Sequence, residues 1–150
     1  MDNKLLTGII EGVIRGNKDV YNPLFIYGED GAVADVLFAI VSDFKKSYPT
    51  KRIVWKSGDD FTHEMIKAIV EDRLESFRRA CRCCDLLIFD HVEIIAGRES
   101  TMHEFYEMFD HVFINGGKLV TAGRVPPGKI EGLDDRIRAQ LEGGIIQQVG

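Results

Sequence analysis

The stretch Tyr21-Asn22-Pro23-Leu24-Phe25-Ile26-Tyr27-Gly28-Glu29-Asp30-Gly31-Ala32-Val33-Ala34-Asp35-Val36-Leu37 decides how this chain is read. An apolar run, a glycine-bearing turn and the start of a helical pattern follow one another, the layout of a phosphate-binding P-loop. A working loop of this kind cradles phosphates with backbone N–H groups at a helix N-terminus. It also sets a lysine on the terminal phosphates and a hydroxyl on magnesium. Here Gly28 and Gly31 remain, but the lysine slot falls on Ala34, or on Val33 if the loop is one residue shorter. The hydroxyl slot holds Asp35.

The energetics of that loss are large. A lysine–phosphate contact at about 4 Å is worth up to about 4 kcal/mol at an effective dielectric of about 20. Without it, a micromolar ligand becomes one near millimolar. Glu29, Asp30 and Asp35 repel phosphate further. One of them is expected to cap the helix itself, accepting backbone N–H bonds where phosphate oxygens would otherwise sit.

Outward from this stretch, short apolar runs alternate with helical patterns, which argues for an α/β fold with a mainly parallel sheet. The runs fall at 24–27, 52–55, 86–89, 118–121 and 144–147. Leu86-Leu87-Ile88-Phe89 lacks polar alternation and is expected at the centre of the sheet, covered on both faces. The helix from Val33 carries Leu37, Ile40, Val41 and Phe44 on one stripe. A second opens at Ser57 with Asp60 as capping partner and is expected to bury Phe61, Met65, Ile66 and Ile69. A third carries Leu74 and Phe77. A fourth, from Ser100 or Thr101 with Glu104 as capping partner, buries Met102, Phe105, Met108, Phe109 and Val112 and stops at Asn115-Gly116-Gly117. The first residues, to about 20, read as a short N-terminal helix. Residues 1–150 read as a single domain, without repeat or linker.

The 150 residues are 45% hydrophobic and 29% charged, the composition of a globule with a sizeable core. No apolar run approaches the roughly 18 residues needed to span a bilayer. With no signal-peptide pattern at Met1-Asp2-Asn3-Lys4, a cytoplasmic location is expected. Cys81, Cys83 and Cys84 are clustered and odd in number, which suits reduced thiols filling the end of a helix. The formal charge of −5 does not advertise nucleic-acid binding. Arg73, Arg78, Arg79 and Arg82 nevertheless lie close together with Lys67 nearby, a cluster that a solvated helix face explains more simply than a phosphate-binding patch.

Further motifs carry a resemblance. Asn22-Pro23-Leu24-Phe25-Ile26-Tyr27-Gly28 resembles the first-strand signature of the bacterial replication initiator DnaA family within the AAA+ superfamily. Asp85-Leu86-Leu87-Ile88-Phe89-Asp90 is similar to its Walker B strand. Ala96-Gly97-Arg98-Glu99 resembles its AGKE-type turn, and Val120-Thr121-Ala122-Gly123-Arg124-Val125-Pro126-Pro127 its LTSDRPP segment. Gly132-Leu133-Asp134-Asp135-Arg136-Ile137-Arg138 resembles its GLEDRLRSR segment. The resemblance covers nearly the whole chain from Tyr21 on. It implies a P-loop three-layer α/β/α sandwich with a parallel five-stranded sheet in the order 5-1-4-3-2. The chain begins too late for the family's adenine-packing segment and ends after strand five, so no helical lid and no DNA-binding helix-turn-helix are expected.

The departures from the family fall where chemistry occurs. Asp90 keeps the magnesium-binding acid, but His91 stands where the resemblance implies a second acid that polarises water. Magnesium needs phosphate co-ligands, so Asp90 alone would hold it poorly. The sensor-1 aspartate maps to Gly123. The arginine finger maps to Gln140, while Arg136 keeps the first arginine of its run; both are candidate inter-subunit residues. The expectation is a non-catalytic DnaA-like core that needs no cofactor. It would be a protein-binding adaptor or regulator connected with initiation of chromosomal replication, its partner another AAA+ protein such as an initiator, or itself. One alternative is a residual ATP or ADP binder without hydrolysis. Another is a single-stranded-DNA binder, for which the resemblance points to Lys67, Arg73, Arg78, Arg79 and Arg98. His103, Glu107 and His111 share a helix face at metal-like spacing, but a solvated face is the simpler reading, and no metal site is assigned.

Overall fold

The computed structural model describes residues 3–15 and 21–150. Strands β1 (Leu24–Tyr27), β2 (Ile53–Ser57), β3 (Leu86–Asp90), β4 (Lys118–Gly123) and β5 (Ile145–Gln148) form one parallel sheet in the order β2-β3-β4-β1-β5. Read from the other edge, this is the expected order 5-1-4-3-2. Helices α1 (Asn3–Arg15) and α2 (Asp30–Ser47) cover one face. Helices α3 (Gly58–Val70), α4 (Leu74–Arg82), α5 (Glu99–Ile114) and α6 (Asp135–Leu141) cover the other. Of the N-terminal helix expected to about residue 20, residues 16–20 lie outside the described residues.

Strand alternation divides the core. Leu86 and Ile88 of β3 pack with Leu24, Ile26, Val120 and Ala122 towards α1 and α2. Leu87 and Phe89 pack with Phe25 and Leu119 towards α3, α4 and α5. Successive side chains point to opposite faces, so a strand covered on both sides must be apolar at every position. β3 is such a strand and lies inside the sheet, but the middle place belongs to β4. The Asn22 side chain ties the start of β1 to β4, donating to the Gly117 carbonyl at 3.0 Å and accepting from Leu119 N–H at 2.9 Å.

Two helix readings need correction. Ser57 does cap α3, accepting from Asp60 N–H at 3.1 Å. Yet Ile66 and Ile69 are 50% and 51% exposed, because the buried stripe runs through Phe61, Met65 and Ala68. Their phase on the helix turns Ile66 and Ile69 off the sheet. α5 starts at Glu99, with no side-chain cap from Arg98. Glu104 is therefore not a capping partner. It is buried and paired with Arg78 and Arg82 across the α4–α5 contact.

The cysteines sit where α4 meets β3, Cys81 buried, Cys84 half-buried and Cys83 exposed. Burial pushes the Cys81 thiol up to about 11 and Cys84 up to about 12, so neither is an activated nucleophile. Among the described residues, no helix is long and apolar enough to cross a membrane.

Candidate functional site

The strand ends and the α2 N-terminus frame an open cleft of about 640 Å³ lined by Gly28, Glu29, Asp30, Arg124, Gln148, Val149 and Gly150. In an open parallel sheet, ligands bind outside the carboxyl ends of the strands, which is this position. The loop is not a cradle. β1 ends at Tyr27 and α2 already begins at Asp30, so only Gly28 and Glu29 lie between them. Val33 N–H donates to the Glu29 carbonyl at 3.0 Å, closing the first helical turn. Gly28 has φ +154°, and a Cβ there would stand 2.3 Å from the Val149 carbonyl oxygen. Only glycine fits that approach between β1 and the end of β5.

The expected self-capping does not occur. Glu29 is the N-cap residue and makes no side-chain cap bond. Asp30 turns instead to Arg124, which donates from Nε at 3.1 Å and from Nη2 at 2.8 Å to its two carboxylate oxygens. That bidentate bond comes first among the causes that hold the Asp30 carboxyl below its usual range. Asp35 and Gly31 are exposed and do not line the cleft. A carboxylate therefore satisfies the one arginine lining the cleft and does not cap the start of α2.

Behind Asp30, a hollow of about 30 Å³ brings together Ala34, Asp90, His91 and Gly123. The four positions singled out in the sequence do converge. Both oxygens of Asp90 are engaged: Trp55 Nε1–H donates to Oδ2 at 2.8 Å, and His91 Nδ1 lies 2.9 Å from Oδ1. His91 adopts a left-handed backbone at φ 52°, and its Nε2 lies 3.5 Å from Asp30. Burial alone would lower the His91 pKa. The bond to Asp90 and the charges of Asp90, Asp30 and Glu93 outweigh it and raise the value.

Gly123 leaves no vacancy. A Cβ there would meet Glu93 Oε2 at 2.9 Å and Phe25 Cζ at 3.3 Å. The Glu93 carboxylate fills the space that a side chain at 123 would need, and its buried Oε2 has no hydrogen-bond partner among the described residues. Sequence reasoning missed Arg124 in the lining of the cleft, and Trp55 and Glu93 behind it against Asp90 and Gly123. Arg124 stood in a quoted segment, but nothing local indicates a partner 94 positions away.

The candidate DNA-contacting residues divide. Arg98 lines a largely apolar groove of about 460 Å³ between α3 and the start of α5, with Thr62, Met65, Ile66, Ile69 and Val70. Lys67 and Arg73 border a separate hollow against α4. Arg73 is held by Glu71 at 2.7 Å. Arg78 is committed to Glu104, at 3.1 and 2.6 Å, and to Glu75 at 2.7 Å, so it is a clamp within the fold. Lys67, Arg79 and Arg98 are exposed and make no ion pair among the described residues.

On α6, the Arg136 guanidinium lies over the Tyr106 ring at 4.5 Å and is exposed. Gln140 turns inward, donating to the Tyr106 carbonyl at 3.1 Å, with its buried Oε1 unpaired among the described residues. Arg138 holds the preceding loop by donating to the carbonyls of Pro127, Ile130 and Leu133. Of the two candidate inter-subunit residues, only Arg136 faces outward.

The family model for the bacterial DnaA ATPase domain matches residues 2–148. The chain belongs to that family. The chromosomal replication initiator protein DnaA of Deinococcus deserti is 34% identical over 99% of the chain and 33% of its own length. DnaA of Thermomicrobium roseum is 37% identical over 99% of the chain and 32% of its own length. The chain thus spans about a third of the length of these relatives. AMPPCP-bound DnaA from Aquifex aeolicus superposes with TM-score 0.88 at 29% identity, covering 98% of the chain and 46% of that structure. A replication initiator DnaA bound to AMPPCP and single-stranded DNA gives 0.87 at 28% identity, with the same coverages. Sequence and fold are those of a DnaA-like AAA+ core, the kind of domain that chromosomal replication initiators carry.

Proposed function

We propose that this DnaA-like core does not hydrolyse ATP and acts by binding another protein of the same fold, a replication initiator or a second copy. One observation carries the reading: α2 begins at Asp30, so no backbone cradle follows β1, and the carboxylate at the helix start occupies the cleft's arginine. The absence of a lysine at Ala34, the Glu93 carboxylate packed against Gly123 and the inward Gln140 support it. An AAA+ face whose arginine is already taken by its own carboxylate is suited to occupying a neighbour's surface constitutively. Fold alone conveys function weakly, so the partner must be found by experiment.

The decisive test pairs nucleotide binding with assembly. Fluorescent ATP or ADP is expected to bind no tighter than about millimolar. Ala34→Lys with Asp35→Thr is expected to leave ATP turnover at background, because the added lysine and hydroxyl would still face a helical turn where a loop is required. The wild-type chain is expected to capture a full-length initiator and slow its assembly without nucleotide. Micromolar binding by the wild type would favour the residual nucleotide binder. Family-like turnover in the double variant would make this a lightly damaged ATPase.

A second reading is favoured by a specific surface. The groove between α3 and α5 combines exposed Ile66, Ile69 and Val70 with an unpaired Arg98, and a structural relative carries single-stranded DNA. Apolar faces that take bases beside a cation that takes phosphate suit a single strand. Under this reading, Arg98→Ala weakens oligonucleotide binding and flattens its log–log salt dependence by about 0.7. An unchanged slope would remove Arg98 from the interface.

A further inference from the structure

The cleft is short of cations. Among the described residues lining it and the hollow behind it, Arg124 is the one lysine or arginine, against Glu29, Asp30 and Asp90. A guanidinium offers a planar fork that matches two oxygens of a carboxylate or of a phosphate. Here that fork is filled from within: Asp30 takes both Nε and Nη2 of Arg124. The pair joins the first residue of α2 to the residue that follows β4, and both line the cleft. His91 Nε2, 3.5 Å from the same carboxylate, flanks it on the β3 side.

We propose that Asp30 is an internal ligand of this cleft. Its carboxylate occupies the Arg124 guanidinium in place of an external phosphate-bearing anion and compensates the one arginine charge in the cleft. The device is an autoinhibitory contact and not merely a missing lysine, so a single charge-neutralising substitution reverses part of it. Both partners are about half exposed or more, at 50% for Asp30 and 65% for Arg124. Such a pair is screened by salt and contributes little to folding. Its removal therefore leaves a folded protein in which the consequence can be measured. The inference rests on the reading that the cleft holds no nucleotide, and it assigns the residue that keeps it so.

The test uses the full chain, inorganic pyrophosphate as probe, and calorimetry at low ionic strength. Asp30→Asn is expected to bind pyrophosphate at least about tenfold more tightly than wild type, because one repelling charge is gone and the arginine fork is free. Adding Arg124→Gln to Asp30→Asn is expected to return affinity to the wild-type level. In ¹⁵N spectra, the Arg124 Nε–H signal should be resolved in wild type and collapse towards free arginine in Asp30→Asn. Equal affinities for wild type and Asp30→Asn would overturn the proposal, as would a gain that survives Arg124→Gln. Partner capture by the wild type is scored separately: its loss sinks the adaptor reading and leaves this contact standing.

Discussion

Phe89→Ala is expected to destabilise the domain by about 3–5 kcal/mol, the usual cost of emptying an aromatic site in a core. Phe89 has no exposed surface, and its ring meets Phe61 at 5.3 Å and Phe105 at 4.7 Å, both edge to face. It stands on an interior strand whose backbone is fixed on both sides by β2 and β4, so the neighbours cannot collapse far into the cavity. For a domain of this size the melting temperature should fall by roughly 10 °C. Phe113→Ala supplies the comparison, since Phe113 is 45% exposed and its loss should stay within about 0.5 kcal/mol. Equal melting temperatures for the two variants would contradict the assigned core. Because Asp90 ends β3 and follows Phe89 directly, the same substitution should also loosen the hollow behind the cleft.

Glu104→Ala carries the second large effect, about 2 kcal/mol. The Glu104 side chain is 9% exposed and accepts two bonds from Arg78, with Arg82 at 3.7 Å. Removing one partner of a fully buried pair costs about 3–5 kcal/mol. The figure is reduced here because Arg78 and Arg82 keep 29% and 21% of their side-chain surface and can be rehydrated. Hydrogen exchange should quicken in α4 and the start of α5, while α1 and α2 stay protected. Unchanged exchange in α4 would mean that Glu104 does not hold it. The change also frees Arg82, while Arg78 keeps its bond to Glu75 at 2.7 Å. Under the nucleic-acid reading, the salt dependence of oligonucleotide binding should then steepen by about 0.7.

The strands and their sidedness were legible because they depend on residues a few positions apart. An uninterrupted apolar run such as 86–89 can only be satisfied between two layers, and the turn at Asn115-Gly116-Gly117 ends α5 as its glycines require. The sheet order needed the resemblance to a family, since apolar runs alone do not say which strands are neighbours. The convergence of Ala34, Asp90, His91 and Gly123 followed from that order, because these positions lie at adjoining strand ends and at the first turns of α2.

By itself, then, the sequence determined an α/β fold of five apolar strands and a phosphate loop without its lysine. Only the tertiary structure decided what replaced the missing chemistry. The carboxylates after Gly28 were expected to cap their own helix. Asp30 instead found an arginine 94 residues on, because the end of β4 delivers Arg124 to the start of α2. Glu104 suited a local cap equally well until the α4–α5 packing placed Arg78 against it across 26 positions. Ile66 and Ile69 fitted a helical stripe, but α3 carries apolar residues on more than one side, and contact with the sheet selected which of them to bury. Local spacing constrains a helix and its ends. The rotation of that helix on its neighbours, and the partner of each charge, depend on where distant chain segments are brought together.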